Sequence, residues 1–263
     1  MVVIAMRERR TSHTVGYAFL FGEHMLATPL PALVLLPGLD GTGKLFAEFV
    51  KALDPGIHTV VVAYPPDQAL GYEELYALVI GVLDKLPREQ RFVLLGESFS
   101  GPLAIRIAAR APPGLDGLIL SASFAANPFP WLAWARPLAA YLPVKSLPRW
   151  LRAPLMWGSL SPDRAPSQME RAMSGVSAAA VRRRIAALLA VDETSALERV
   201  ATPMLLLRAR DDRVIPKGAT RRILKILPQA ELIEIDGPHL LLQTRPRECA
   251  AAVLRFLNRA LKR

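Results

Sequence analysis

The sequence of 263 residues predicts an α/β fold, in which a mostly parallel central sheet is covered by helices. Short apolar runs alternate with segments of helical spacing, the connections between the runs are too long for hairpins, and the length fits one large domain. One stretch breaks the alternation. We therefore predict a core formed by residues 1–123 and 198–263, and a helical insertion at residues 124–197.

The first third of the chain predicts three strands and two helices, which lead to a central motif. Alternating aromatic residues indicate an edge strand near the N-terminus, and continuous apolar runs indicate buried strands. In chain order, the elements are an edge strand at 17–21, a strand from Ala32, a helix at 45–53, a strand at 59–64 and a helix at 73–86.

The central motif is residues 91–101, RFVLLGESFSG. Its apolar first half predicts a strand buried on both faces, and helical spacing follows it. Between them lies a sharp turn that carries Ser98, with the small residues Gly96 and Ser100 at the positions where such a turn excludes bulk. The turn lifts the Ser98 hydroxyl clear of the sheet and directs the N–H of Phe99 at a developing oxyanion.

The second half of the chain contains the insertion and then a return of the alternation. Residues 124–197 are rich in proline and aromatic residues and contain no strand-like run. Trp131 and Trp134 lie three positions apart, so they share a helix face, and we predict that they line an apolar acyl pocket. The other elements are strands at 118–120, 203–207 and 231–235, the last with the alternation typical of a sheet edge, and helices at 217–227 and 246–261.

The composition is that of a globular protein, because 52% of the residues are hydrophobic and 21% are charged. No apolar run reaches the roughly 18 residues of a membrane-spanning helix, since the nearest candidate, 26–36, is broken by Pro29 and Pro31. The single cysteine, Cys249, excludes an internal disulfide and a cysteine-based zinc site, and we predict a buried thiol. The N-terminus is the reverse of a secretory signal, so a cytoplasmic location is expected.

The formal charge of +10 arises mainly from arginines in the second half of the chain. One interpretation is a solvated basic face, and another is an acidic partner, such as an acyl carrier protein or an anionic membrane surface. Nucleic acid is not expected, because neither zinc-finger spacing nor an RNA-binding aromatic signature accompanies the arginines. These are Arg182, Arg183, Arg184, Arg208, Arg210, Arg213, Arg221, Arg222, Arg245, Arg247, Arg255, Arg259 and Arg263.

Residues 96–100 and their setting resemble the nucleophile elbow of the α/β-hydrolase superfamily, G-x-S-x-G, with Ser100 in place of the last glycine. The motif LPGLDGTG, followed by GESF, is similar to the esterase, lipase and thioesterase branch that includes plant phytyl ester synthases. In this superfamily the insertion forms a cap, or lid, over the active site. The resemblance also implies that Leu39, which follows Gly38, supplies a second oxyanion N–H alongside that of Phe99.

The resemblance further implies a catalytic triad in the order serine, acid, histidine. A serine hydroxyl needs an imidazole to take its proton and a carboxylate to orient the imidazole. His239 follows a late strand at the sheet edge where Ser98 also lies, so it is the predicted base. The phrase RARDDRVIP resembles the acid loop of the family, which makes Asp212 the predicted acid and Asp211 the alternative.

We therefore predict a serine hydrolase with Ser98 as nucleophile, acting on small-molecule carboxylic esters with small to medium apolar acyl groups. No metal or cofactor is expected, because the triad and the oxyanion donors suffice for acyl transfer. The alternatives are a thioesterase or acyltransferase, a methyl esterase acting on an acyl group held by a carrier protein, and a ligand-binding member of the fold without turnover.

Overall fold

The computed structural model describes residues 5–7, 30–143, 156–157 and 165–260. Seven strands form one sheet: β1 (Ala5–Arg7), β2 (Ala32–Leu36), β3 (Thr59–Val61), β4 (Phe92–Glu97), β5 (Leu115–Ser121), β6 (Met204–Ala209) and β7 (Glu231–Ile235). Their order across the sheet is β1-β3-β2-β4-β5-β6-β7. The six strands that follow β1 in this order all pair in parallel, and β1 pairs antiparallel with β3 at one edge.

Helices cover both faces of this sheet. They are α1 (Ala47–Ala52), α2 (Tyr72–Leu83), α3 (Gly101–Ala108), α4 (Ala165–Ser174), α5 (Ala178–Leu188), α6 (Thr194–Leu197), α7 (Lys217–Ile226), α8 (Leu241–Thr244) and α9 (Pro246–Ala260). One face of the sheet packs against α2, α3 and α7, and the other face packs against α1, α8 and α9. Three 3₁₀ segments occur at Lys44–Phe46, Ser98–Ser100 and Pro130–Tyr141.

The central strands are apolar at every position because both of their faces are buried. In β4, Leu94 packs into one helical layer, while Val93 and Leu95 pack into the other. All residues of β2 and β4 are buried. The predicted α/β architecture with a mostly parallel, helix-covered sheet is confirmed.

The parallel arrangement brings four loops to the same edge of the sheet. Strands β2, β4, β6 and β7 end at Leu36, Glu97, Ala209 and Ile235. Because these strands run in the same direction, the loops that follow them meet at their carboxyl edge. Ser98, Asp212 and His239 are all located in these loops.

The segment between β5 and β6 leaves the sheet and returns to it at a closed base. Ala126 and Asp192 form an isolated antiparallel bridge. Beside it, Asn127 N–H donates to Val191 O and Glu193 N–H donates to Ala125 O, at 2.8 and 2.9 Å. The described part of this segment contains the 3₁₀ segment Pro130–Tyr141 and helices α4 to α6. Its predicted role as a cap stays a prediction.

The sequence predictions for single elements can be compared with the structure. The predicted edge strand at 17–21 lies outside the described residues, whereas the antiparallel edge strand is β1 at Ala5–Arg7. Cys249 is buried as predicted. Strand β7 does lie at an edge of the sheet. Of the helices within the described ranges, none has the length and apolarity needed to cross a bilayer.

Candidate active site

Ser98 occupies a sharp turn between β4 and α3 in a strained backbone conformation. Its φ is +47°, in the left-handed region that residues with a Cβ rarely adopt. The turn is tight at Gly96, where an added Cβ would lie 2.8 Å from Ser100 O and 2.9 Å from Ala104 Cβ. Ser98 remains partly exposed, although the residues on both sides of it are buried. The turn therefore presents the hydroxyl at the end of the sheet.

Two hydrogen bonds join Ser98, His239 and Asp212. Ser98 Oγ lies 2.9 Å from His239 Nε2, and His239 Nδ1 lies 2.9 Å from Asp212 Oδ2. Because a carboxylate can only accept, Nδ1 is the protonated nitrogen and Nε2 is free to accept from the serine hydroxyl. The histidine and aspartate side chains are 2% and 6% exposed, so water has little access to their contact. This arrangement can move the serine proton onto Nε2.

The loop after β6 holds the Asp212 carboxylate in place. Asp212 Oδ1 accepts from the N–H groups of Val214 and Ile215, both at 2.8 Å, which leaves Oδ2 for the histidine. Asp211, the alternative acid, is exposed. Of the other histidines, His58 lies ahead of β3, at the opposite edge of the sheet from Ser98. His13 and His24 lie outside the described residues.

The loop after β2 forms a tight turn beside Ser98. Gly41 N–H donates to Gly38 O at 3.0 Å, which closes a β-turn around Leu39 and Asp40. A Cβ on Gly38 would lie 3.9 Å from Ser98 Cβ, so the turn lies in contact with the serine. The closing hydrogen bond of the turn does not use the N–H of Leu39. The predicted oxyanion donors, Leu39 and Phe99, thus flank the same serine.

A buried arginine from the insertion holds this turn. Arg184, on α5, is 0% exposed, and its Nη1 donates to Leu39 O at 3.0 Å and to Asp40 O at 2.8 Å. Its Nη2 donates to Pro65 O at 3.2 Å. Gly41 adopts φ +71°, and a Cβ there would lie 2.5 Å from the guanidinium, so the glycine makes room for the cation. The interpretation of Arg184 as part of a solvated basic face is therefore wrong.

Ser100 contributes a hydroxyl as well as small size. Its Oγ donates to Pro37 O, and the Tyr64 hydroxyl then donates to Ser100 Oγ at 2.6 Å. Tyr64 and Ser100 are both buried, and burial raises the pKa of the Tyr64 hydroxyl well above its usual range. The Arg184 guanidinium lies 5.6 Å from the centre of the Tyr64 ring. The elbow, the β2 loop and α5 are therefore linked in one buried polar network.

The backbone around Ser98 is fixed by two further hydroxyls. Tyr72, on α2, donates to Phe99 O at 2.8 Å, and its ring stacks on the Phe99 ring with centroids 4.7 Å apart. Ser123, after β5, donates to Ser98 O at 2.6 Å. These contacts hold the strained turn in place. A serine in the left-handed backbone region persists only where its surroundings fix it in this way.

Glu97 places a buried carboxyl directly under the serine turn. It is 3% exposed, accepts from Gln243 Nε2 at 2.8 Å and also accepts from the backbone N–H of Gly38. The pKa of Glu97 is raised to about 7, mainly by burial and in part by the nearby Asp40 carboxylate, against the lowering effects of Gln243 and His239. Glu97 therefore joins the elbow, α8 and the β2 loop.

The structure does not bring Trp131 and Trp134 into an enclosed site. Both lie on the 3₁₀ segment Pro130–Tyr141, and they are 63% and 73% exposed. This exposure does not support their predicted role in an acyl pocket. Within the described ranges, no group of three or more histidine, cysteine or acidic side chains is placed to bind a metal.

Comparisons with known proteins concern the family and the fold of the chain. The model of the alpha/beta hydrolase family matches residues 33–252. RutD of Rhizobium rhizogenes strain K84, provisionally named a carbamate hydrolase, is 29% identical over 257 residues, which are 90% of this chain and 97% of that protein. A poly(3-hydroxyalkanoate) depolymerase of Ectopseudomonas oleovorans is 27% identical over 250 residues, covering 89% of this chain and 87% of its own.

A solved structure shows the same fold. The enol-lactonase from Burkholderia xenovorans LB400 superimposes with a TM-score of 0.78 at 18% sequence identity, covering 98% of this chain and 96% of its own. At this level of identity the likeness concerns the fold alone.

Proposed function

Because the chain belongs to the α/β-hydrolase family, we propose that it is a serine hydrolase that cleaves carboxylic esters of small to medium apolar acyl groups. Its catalytic residues are Ser98, His239 and Asp212, and the reaction passes through an acyl-enzyme. The observation that carries this proposal is the continuous hydrogen-bonded chain from Ser98 Oγ to Asp212 Oδ2, with both steps at 2.9 Å.

Acylation begins when Ser98 Oγ attacks the ester carbonyl carbon and its proton passes to His239 Nε2. Asp212 stabilises the resulting imidazolium through Nδ1–H. The carbonyl oxygen becomes an oxyanion that accepts from the N–H groups of Leu39 and Phe99, each donor lowering the barrier by about 2.7–4 kcal/mol. The Nε2 proton then passes to the leaving alkoxide, which departs as the alcohol.

Deacylation repeats these steps with water as the nucleophile. His239 Nε2 takes a proton from water, and the hydroxide attacks the acyl carbon. The second tetrahedral intermediate collapses when Ser98 Oγ leaves and recovers its proton from Nε2. The products are the free acid and the enzyme in its starting state.

The test is active-site labelling with a fluorophosphonate probe and mass mapping of the modified peptide, together with hydrolysis of p-nitrophenyl esters from acetate to laurate. We expect the probe on Ser98 and turnover of the short and medium esters. Ser98→Ala should lower kcat by about 10⁴-fold or more while the protein stays folded. Ser174→Ala, at an exposed serine on α4, is the matched control. Labelling at another serine, or full activity of Ser98→Ala, would contradict the proposal.

A second candidate is hydrolysis or transfer of an acyl group held as a thioester on an acidic carrier protein. The formal charge of +10 favours this candidate, because a basic surface attracts an acidic partner. Labelling of Ser98 without ester turnover, combined with hydrolysis of acyl thioesters, would support it. A carbamate substrate belongs in the same assay because of the name given to the RutD relatives.

A further inference from the structure

The exposed apolar side chains are concentrated on one segment of the insertion. Within the described part of the chain, every large hydrophobic residue classed as exposed lies between positions 131 and 142. We name this the Trp131–Leu142 surface. It consists of Trp131 (63% exposed), Leu132 (37%), Trp134 (73%), Leu138 (51%), Tyr141 (82%) and Leu142 (38%). Contiguous apolar surface of this kind usually marks a binding site.

The helical geometry places five of these side chains on two adjacent faces, and Leu142 follows the end of the segment. A 3₁₀ helix has three residues per turn, so side chains three positions apart lie above one another. Trp131 and Trp134 share one face of the segment. Leu132, Leu138 and Tyr141 share the next face. Ala139, in the last turn, is 1% exposed and packs against the protein, whereas Arg136, three positions earlier, is exposed.

The charged residues on this surface and on the helix behind it are arginines, and one of them, Arg183, pairs with Glu74 of α2 at 3.6 Å. The 3₁₀ segment contains one charged residue, the exposed Arg136, and it packs against α5, which contributes Arg182 and Arg183 and no acidic residue. Arg182 Nε donates to Leu142 O at 2.8 Å, which attaches the surface to α5. In the sequence, no aspartate or glutamate occurs from residue 117 to residue 162.

We propose that the Trp131–Leu142 surface binds an anionic lipid bilayer. Tryptophan and tyrosine favour the headgroup level of a membrane, leucine side chains insert into the adjoining acyl region, and arginine binds lipid phosphate. The surface contains these residue types and excludes acidic ones, which an anionic membrane would repel. An acidic carrier protein would instead require a field of cations, whereas the centre of this surface is apolar.

The position of the surface relates it to the candidate active site. Helix α5 contacts the surface through Arg182, and two residues later it contacts the Leu39 and Asp40 carbonyls through Arg184. A membrane-bound enzyme would therefore keep the loop beside Ser98 one helix away from the lipid. The lipid-binding proposal itself is independent of the proposed ester hydrolysis, because vesicle binding requires no turnover.

The experiment measures co-sedimentation of the full chain with vesicles of phosphatidylcholine, alone or mixed with phosphatidylglycerol, at low and high salt. We expect binding to the anionic vesicles, weaker binding at high salt, and a blue shift of tryptophan emission on binding. A Leu138→Ser/Tyr141→Ser double variant should bind the anionic vesicles at least about tenfold more weakly. Its unfolding curve and its hydrolysis of p-nitrophenyl acetate should be unchanged, because both side chains are exposed.

Two charge-removing variants distinguish attraction of lipid to this surface from attraction to the positive charge of the whole protein. Arg136→Gln should weaken binding at low salt, whereas Arg255→Gln, at an exposed position on α9, should leave binding unchanged. Three results would overturn the proposal: no binding to either kind of vesicle, binding that is indifferent to lipid charge and salt, or binding that the double variant retains. Self-association that the double variant abolishes, without vesicle binding, would instead assign the surface to a second copy of the chain.

Discussion

At the scale of single residues, a buried carboxyl lies next to the proposed nucleophile. Glu97 is surrounded by Gly38, Gln243 and the backbone of the serine turn, and the side chains of Asp40 and His239 lie nearby. Its raised pKa means that the folded state binds a proton more tightly than the unfolded state does. Glu97 therefore makes the stability of the protein depend on pH.

Glu97→Gln should remove this dependence. With a folded pKa of about 7 against an ordinary value of 4.5, Glu97 adds stability that is fully present below pH 4.5 and is lost as the pH rises through 7. As the pH rises from 4.5 to above 7, the free energy of unfolding of the variant should increase by about 3 kcal/mol relative to that of the wild type. Urea unfolding from pH 4.5 to 8 measures the difference. Glu89→Gln, at an exposed position, should show no such trend, and parallel pH profiles for Glu97→Gln and the wild type would contradict the prediction.

Individual residues differ in how well the sequence predicts their place. Ser98, Asp212 and His239 could be found because each follows a recognisable buried strand, and the ends of parallel strands meet at one edge. Arg184 could not be placed, because its contact with Leu39 spans 145 positions and no local pattern distinguishes it from its exposed neighbour Arg183. The polar roles of Ser100 and Glu97 were missed for the same reason, since their partners are distant in sequence.

At the scale of elements, the turn from β4 to α3 depends on close packing at Gly96. The Cβ position there is limited by the backbone of Ser100 and by Ala104, both of which are buried parts of the elbow and α3. Neither can move without shifting the turn that holds Ser98. A side chain at this position is therefore expected to disturb the turn itself.

Gly96→Ala should destabilise the protein by about 1–3 kcal/mol through overpacking, and it should reduce kcat because Ser98 is displaced. Gly81→Ala is the matched control, because Gly81 lies exposed on α2 and a Cβ there meets no atom within 4 Å. That control should stabilise the protein by about 0.5–1 kcal/mol through helix propensity. Urea unfolding and ester kinetics on both variants test the contrast, which equal effects on stability would refute.

The elements themselves were predictable where burial determines the pattern. β4 and β6 read as apolar runs because helices cover both of their faces, and β7 alternates because it lies at an edge. The short strand β1 could not be predicted, because three residues do not establish a period and its pairing with β3 is a long-range contact.

At the scale of the whole molecule, a buried cation is one of the contacts that join the insertion to the core. Arg184 offers donors to carbonyls of two core loops, those after β2 and β3. Burial lowers its pKa, against the raising effects of Tyr64 and Asp40. A cation held in this way positions the loop that contains Leu39, although it does not itself reach Ser98 in the described contacts.

Arg184→Met should lower kcat by about 10²-fold with little change in KM, because a displaced Leu39 N–H no longer stabilises the oxyanion. Arg184→Lys should recover part of the loss, since it restores a donor but not the fork of the guanidinium. Arg183→Gln is the neighbouring control and should retain full activity. Ester kinetics and the labelling rate of folded protein measure the effect. If Arg184→Met lost stability only, with normal kcat per folded molecule, the positioning role would be wrong.

The closed base of the insertion has a consequence for how such enzymes diversify. Because the Ala126–Asp192 bridge holds the two ends of the segment side by side, we expect that the chain between them can be exchanged as a unit. A transplanted segment should change the choice of substrate while the loops that carry Ser98, Asp212 and His239 stay in place. One condition applies to any donor sequence: it must again deliver a cation to the Leu39 and Asp40 carbonyls, as Arg184 does.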